Sequence, residues 1–472
     1  MFLLALLPLL LFVFLLFAGR IKVIAAGLIS LALTAFLAVS CWKMGLPLVF
    51  STLLKGGLIA FDIFLIVFGA IFFISLLKKV KIIDNLCFYL ETFSKDLRVQ
   101  VILLAWLLEN FLEGTAGFGT PSIVVAPILV GLGIQPILAV AIALLGNSAS
   151  VVFGAAGTPI RIGFSGLNVS QIPYYSGLFN MVGSLVPVFM LFAVTFKKEN
   201  WKKRFFEALL FALFAGLAYS LPAFFITYLG QEFPSIIGSI IGFVVILLII
   251  KFKIFLPKNV MKSEKREFAE EKLPIRKVIF PYLLLVALLV LGKFLLEGRF
   301  FNPGIIFILT SFIFFLVWKK HLPGTGKMMK NSLLRSLEPF LVVMVMSALA
   351  QIMINSGQSD TLAQGLKTLA LPLIAPIIGA FGSFMTGSAT LSNIMFGGLL
   401  AKAAVDIGIS SAIILSLQLV GAAAGNMIAL ADIMPALAVV NLGGKEREII
   451  KRVIIPCLIY VFLVGAIGLL VV

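Results

Sequence analysis

Metal or thiol chemistry has little to work with in this sequence. Its 472 residues hold one histidine, His321, and three cysteines, Cys41, Cys87 and Cys457. The cysteines are odd in number, scattered and without metal-ligand spacing, so they read as small packing residues. A hydrolytic metal site wants histidine and carboxylates at set intervals, and His321 stands alone in a basic cluster. No P-loop, paired-cysteine site or Ser–His pairing is present, so an enzyme has no residues to rest on and no cofactor is expected. Charge is scarce too, at 12% of residues, where soluble domains carry about a quarter. A cleaved secretory leader is not expected either. The apolar run starts at Met1, and the first cations, Arg20 and Lys22, come after it, so this run reads as a retained first span.

What the chain has instead is apolar length. Hydrophobic residues make up 61% and mean hydropathy is +1.18. Runs as long as Met1–Gly19 recur to the C-terminus, and a bilayer-spanning helix needs about 20 apolar residues. The expected fold is an all-α polytopic membrane protein with about 12 spans plus broken or re-entrant helices.

The net charge of +17 in a soluble protein would suggest nucleic acid. Here the cations sit in short clusters between apolar runs, as in cytoplasmic loops, so the lipid bilayer is the expected partner and nucleic acid is not. The clusters are Arg20–Lys22, Lys78–Arg98, Lys197–Arg204, Lys251–Lys277, Lys319–Arg335 and Lys445–Arg452. All fall on one side if spans cover 61–77, 205–228, 234–250, 278–296, 303–318 and 453–471, and both termini are then outside. The 251–277 loop holds nine cations and four acids. It divides the chain into an N-terminal half, 1–250, and a C-terminal half, 278–472.

Each half carries a broken segment, at 109–160 and at 382–435. The first contains Glu113-Gly-Thr-Ala-Gly-Phe-Gly-Thr-Pro121, Gly146-Asn-Ser and Gly154-Ala-Ala-Gly-Thr-Pro159; the second contains Thr386-Gly-Ser-Ala-Thr-Leu-Ser-Asn393, Gly425-Asn426, Asp432 and Pro435. Glycine and proline interrupt helices, and opened backbone at membrane depth is tolerated only where protein or a water-filled cavity satisfies it. Matched breaks in two halves point to a transporter binding site. The 99–121 segment enters from the inside and the 368–393 segment from the outside, as inverted-topology halves require. Small residues also line ordinary helix contacts, but stretches that add Thr, Ser, Asn and Pro go beyond close packing.

At these residues the chain resembles the L-lactate permease family. The match lies in Phe111-Leu-Glu-Gly-Thr-Ala-Gly-Phe-Gly-Thr-Pro121, Leu129-Val-Gly-Leu-Gly133, Phe153-Gly-Ala-Ala-Gly-Thr-Pro-Ile160, Phe384-Met-Thr-Gly-Ser-Ala-Thr-Leu-Ser-Asn393 and Gly425-Asn-Met-Ile428. The resemblance implies a secondary active transporter that takes up lactate, glycolate or a related 2-hydroxy-monocarboxylate with protons across a bacterial plasma membrane. Two departures stand out: the chain is shorter than expected of the family, and Ala389 stands where many relatives have Asp or Asn. The second leaves small monocarboxylate as the expected substrate class. A sodium-coupled carboxylate or dicarboxylate carrier is the alternative, since the Gly-Ser-x-Thr and Ser-Asn turns resemble those of divalent-anion:sodium symporters. That similarity also suggests a homodimer and an elevator-like movement.

Away from loops, the acids are Asp62, Glu109, Glu113, Glu297, Glu338, Asp406 and Asp432. An ionised carboxylate at mid-bilayer costs roughly 2.5–3.5 kcal/mol, so such residues are paired, protonated or functional. Glu109 and Glu113 are four apart, on one helix face, and two carboxyl groups so close disfavour a double negative charge. They are the proton-coupling candidates, Glu113 as carrier and Glu109 as helper; a cap, or pairing with Lys55 or Arg161, is the competing assignment. Arg161 either forks onto the substrate carboxylate or anchors the membrane edge. Lys402 and Asp406 fit an intrahelical pair. Half-helix starts after Gly119 and Ser388 offer backbone N–H groups to an anion. The candidate substrate-binding residues are Gly117, Gly119, Thr120, Asn147, Thr158, Arg161, Ser388, Thr390, Ser392, Asn393 and Asn426.

Overall fold

The computed structural model describes residues 1–17, 21, 23–115, 117, 119–168, 170–196, 198–262, 272–295, 302–318, 324–366, 370–442 and 444–472. His321, Arg20, Lys22 and Glu297 lie outside these residues, as do the side chains of Asp62, Cys87, Thr120 and Glu338. Among the described residues all regular structure is helical. The chain opens with α1 (Phe2–Phe17), α2 (Val23–Ser40), α3 (Leu46–Lys79) and α4 (Ile82–Thr92). The first broken region follows as α5 (Leu97–Ile102), a π-turn Leu103–Leu108, α6 (Glu109–Thr115), α7 (Thr120–Gly131), α8 (Pro136–Asn147) and α9 (Gly154–Arg161). Helices α10 (Ile172–Phe179), α11 (Val186–Thr195), α12 (Trp201–Ile226) and α13 (Pro234–Lys251) complete the N-terminal part. The C-terminal part holds α14 (Ile275–Leu295), α15 (Pro303–Trp318), α16 (Thr325–Ser356) and α17 (Gln358–Leu366), then α18 (Leu371–Thr386), α19 (Ala389–Asp406), α20 (Ser411–Gly425), α21 (Leu430–Val439) and α22 (Glu446–Val471).

Proline sets many of the starts. Helices α3, α7, α8, α10, α11, α13 and α18 carry it in their first two positions, where its missing N–H costs nothing. Six continuous stretches among the described residues are long and apolar enough to cross a membrane: Ile172–Thr195, Trp201–Leu229, Pro234–Lys251, Thr325–Ser356, Ser411–Leu437 and Glu446–Val471. The stretches Pro136–Asn147 and Ser150–Arg161 meet at a 50° bend and qualify together as one broken span. Helices such as α7 and α18 are apolar but shorter, because glycine breaks end them.

Two packing groups cut across the halves of the sequence. Helix α16 packs on α2 and α3, and α15 on α3, so the first helices of each half form one group. The other joins α5–α13 to α18–α22, through contacts such as α10 with α20 and α8 with α22. The groups meet where α19 lies on α16 and α17, and α9 on α3.

The structure departs from sequence expectation at three places. Helix α3 is continuous for 34 residues, about 51 Å at 1.5 Å per residue, where a span over 61–77 was expected. Helix α16 starts at Thr325, inside the Lys319–Arg335 cluster expected to be a loop, so Lys327, Lys330 and Arg335 are helical. Arg98 is no loop residue: its side chain is fully buried, 2.7 Å from Asp96 and within 2.6 Å of the carbonyls of Arg204 and Asn259. One guanidinium therefore ties together the starts of α5 and α12 and the segment after α13.

Candidate functional site

The first break follows directly from its glycines. Helix α6 ends at Thr115, and the chain turns through Gly117 (φ +60°) and Gly119 (φ +67°) before α7 begins. Left-handed backbone costs glycine little and any other residue more. Space imposes the same choice: a Cβ on Gly117 would stand 2.9 Å from that of Ala155, and one on Gly119 would collide with Asp432 Oδ1.

The second break is more strained. After α8 a short 3₁₀ turn, Ser150–Phe153, leads into Ala155 (φ 41°), Ala156 (φ 52°) and Gly157 (φ 78°), three successive left-handed residues of which two carry a Cβ. Backbone of this kind costs about 1 kcal/mol or more per residue and concentrates at functional sites. Tertiary contacts hold it. The Thr158 hydroxyl donates to the Ala155 carbonyl (2.6 Å), Asn180 to Ala149 (2.8 Å), Ser235 to Ser150 (3.0 Å) and Asn393 to Pro159 (3.0 Å). Opened carbonyls deep in the protein are thus paired, as an apolar surrounding demands. Tyr460 of α22 in turn donates to Asn180 at 2.6 Å and fixes that amide.

The C-terminal half answers with a break of its own. Helix α18 stops at left-handed Gly387, and Ser388 caps α19, its hydroxyl accepting from the Leu391 amide at 3.4 Å. The amides of Ala389 and Thr390 open the helix and have no carbonyl ahead of them in it. Helix α20 is capped by Asn426, whose amide oxygen accepts from the Ser383 hydroxyl.

The breaks enclose a cavity of about 30 Å³. Glu113, Gly117, Gly154, Ala155, Thr158 and Pro159 line it from one half, and Gly387, Ser388, Ala389, Thr390 and Asn426 from the other. A buried water needs roughly 10–15 Å³, so the site as it stands admits very small molecules only. Among the described lining residues there is no cation. Negative charge would meet hydroxyls, the Asn426 amide and the positive end of α19.

Glu113 is 3% exposed, and one of its oxygens makes no hydrogen bond among the described residues. Its carboxyl lies against Gly154, where a Cβ would stand 2.5 Å from Oε1, with the Asn147 amide and the Asp432 carboxyl as polar neighbours. Glu109 sits deeper, fully buried, with Ser122 donating to Oε1 at 2.8 Å.

Several sequence candidates fall together in this cavity: Gly117, Thr158, Ser388, Thr390, Asn426 and Glu113. Others are placed apart. Gly119 faces Asp432, so the start of α7 is answered by the protein's own carboxylate. Asn147 lies behind Glu113, and Ser392 donates to Gly379 at 2.9 Å. Asn393 lines a neighbouring cavity, and Arg161 ends α9 outside both. The Thr120 side chain lies outside the described residues. Lys402 pairs with Asp406 at 3.8 Å, as the spacing suggests. Sequence reasoning did not bring Asp432 to Glu113, nor read Ala155 and Ala156 as left-handed; two alanines inside Gly-x-x-Gly were the available signal for the latter.

The profile of the L-lactate permease family matches residues 1–298 and 294–472. The chain is 27% identical to glycolate permease GlcA of Escherichia coli, over 99% of this chain and 95% of that protein. It is 25% identical to the L-lactate permease of Bacillus subtilis, over 98% and 94% of the two chains, and 28% identical to that of Streptococcus iniae, over 86% and 91%. Among solved structures, the YdaH transporter of Alcanivorax borkumensis aligns at a TM-score of 0.46 and 12% identity, covering 85% of this chain and 83% of that one. With the family profile matched from end to end, this membrane protein belongs to the L-lactate permease family.

Proposed function

We propose that the protein is a proton-coupled symporter of lactate, glycolate or a related small 2-hydroxy-monocarboxylate in the plasma membrane. The observation that carries the reading is the cavity between opposed breaks, where Glu113 and the start of α19 face one small volume. The α19 terminus, the hydroxyls of Ser388, Thr390 and Thr158, and the Asn426 amide suit a carboxylate and its hydroxyl group. Coupling follows from charge. A substrate anion about 4 Å from an ionised Glu113 would be repelled by roughly 4 kcal/mol at an effective dielectric of about 20. Substrate therefore enters with Glu113 protonated, and anion and proton travel together. Glu109, hydrogen-bonded to Ser122, supports the acid from one turn away.

The grouping of α1–α3 with α14–α16, and of α5–α9 with α18–α21, supports inverted halves. With the basic loops inside, both termini are outside; the assembly is a homodimer.

Uptake of labelled lactate, glycolate and succinate into proteoliposomes, with proton and sodium gradients imposed separately, tests the function. Accumulation of lactate or glycolate under an inward proton gradient is expected. Uptake that follows sodium and ignores the proton gradient would overturn the coupling assignment.

A further inference from the structure

A second cavity, about 20 Å³, lies one step beyond the first, where α19 and the end of α9 meet α16. Ile162, Gly163, Ser165 and Leu167 line it from the α9 side, Asn393, Ile394 and Gly398 from α19, and Ser347, Ala350, Gln351 and Ile354 from α16. The α16 residues recur at the three- and four-residue spacing of one helix face. Two of these lining residues, from opposite packing groups, hold a buried polar atom without a hydrogen-bond partner among the described residues: Ser347 its Oγ, in a residue 1% exposed, and Asn393 its Oδ1, in one 0% exposed. A packing defect between helices is apolar and stays dry, whereas a pocket with unpaired polar atoms is suited to hold polar guests.

Its position relative to the first cavity is specific. Thr390 faces the first cavity, while Asn393 and Ile394, one turn along α19, face the second. The Asn393 amide, on the second cavity, donates to the carbonyl of Pro159, which lines the first (3.0 Å), so the two are neighbours. We propose that this cavity is a second, transit station for the small hydroxycarboxylate, resting on the carrier reading above. Ser347 and Gln351 offer hydroxyl and amide groups and Asn393 an acceptor, matching a molecule with one hydroxyl and one carboxylate. The described lining residues carry no formal charge, so the station holds an anion weakly and releases it, as a site of passage should.

Alkylation of engineered thiols tests this. In a chain whose three natural cysteines are replaced, Ser347→Cys and Ala350→Cys place a thiol on the cavity face. Ala348→Cys is the control, on the face packed against Gly56 of α3. Iodoacetate, a small 2-halocarboxylate, is applied to both sides of the membrane with and without lactate. Both cavity-facing variants should be alkylated well above the control. Lactate at about ten times its dissociation constant should slow them roughly tenfold, and should still do so at 4 °C. Thiols no more reactive than the control, or reactive thiols that lactate does not protect, would overturn the station. Uptake of labelled lactate in the same vesicles decides the carrier reading separately, and two positions guard against one variant failing to fold.

Discussion

At the scale of single residues, the weight falls on Glu113 and Asp432. Glu113 was legible in the sequence because a carboxyl in an apolar stretch is expensive and must be justified. Its electrostatic neighbour was not, since Asp432 comes within range of it only when the two halves fold together. If Glu113 carries the proton, Glu113→Gln mimics the protonated acid permanently. Lactate counterflow should then persist within about tenfold of the parent, while accumulation driven by a proton gradient disappears. Gradient-driven uptake that survives the change would assign the proton elsewhere. Arg98 is the contrasting case. It belongs to a basic cluster in the sequence, yet it is buried and holds Asp96 while lying 3.8 Å from Glu207. Arg98→Ala strands those carboxylates and should cost about 3–5 kcal/mol, read as a clear drop in melting temperature in detergent. Arg98→Lys should recover only part of it, because an ammonium lacks the fork that reaches two carbonyls at once.

At the scale of elements, the decisive feature is the crossing of two breaks, Gly117 against Ala155. A methyl at position 117 would lie 2.9 Å from the Ala155 Cβ, well inside the roughly 3.5–4.0 Å at which carbon atoms pack best. Gly117→Ala should therefore abolish uptake and lower thermal stability. Moving the methyl should reverse part of the damage: in the Gly117→Ala, Ala155→Gly double variant the methyl–methyl clash is gone and the strain at 155 is relieved, leaving the cost of left-handed alanine at 117 and its 3.2 Å approach to the residue 155 nitrogen. A double-mutant cycle on melting temperature should show coupling above about 0.5 kcal/mol; additive losses would mean that the two breaks do not bear on each other. The breaks themselves were readable from Gly-x-Gly and Gly-Thr-Pro. The left-handed run at Ala155 and Ala156 was not, because alanine favours right-handed helix and only Thr158, Gly117 and the surrounding packing impose the exception.

At the scale of the whole molecule, the loop charges predict orientation and the packing predicts how the halves share work. With basic loops inside, alkaline phosphatase fused after Val472 should be active outside the cell, and a fusion within 251–262 should be inactive; the reverse pattern would turn the topology over. The two packing groups meet at α9, α16 and α19, beside both cavities, so relative movement of the groups would open or close the site. The sequence by itself determined the solvent, the helical class and the glycine-rich breaks, because apolar run length and missing backbone donors are local properties. It determined the family as well, through motifs contiguous in the chain. Which residues meet was decided only by the tertiary structure. Asp432 lies against Gly119 and within electrostatic range of Glu113, Asn393 on one cavity bonds Pro159 on the other, and Arg98 is buried, because these approaches join segments apart in the chain and depend on how the helices pack.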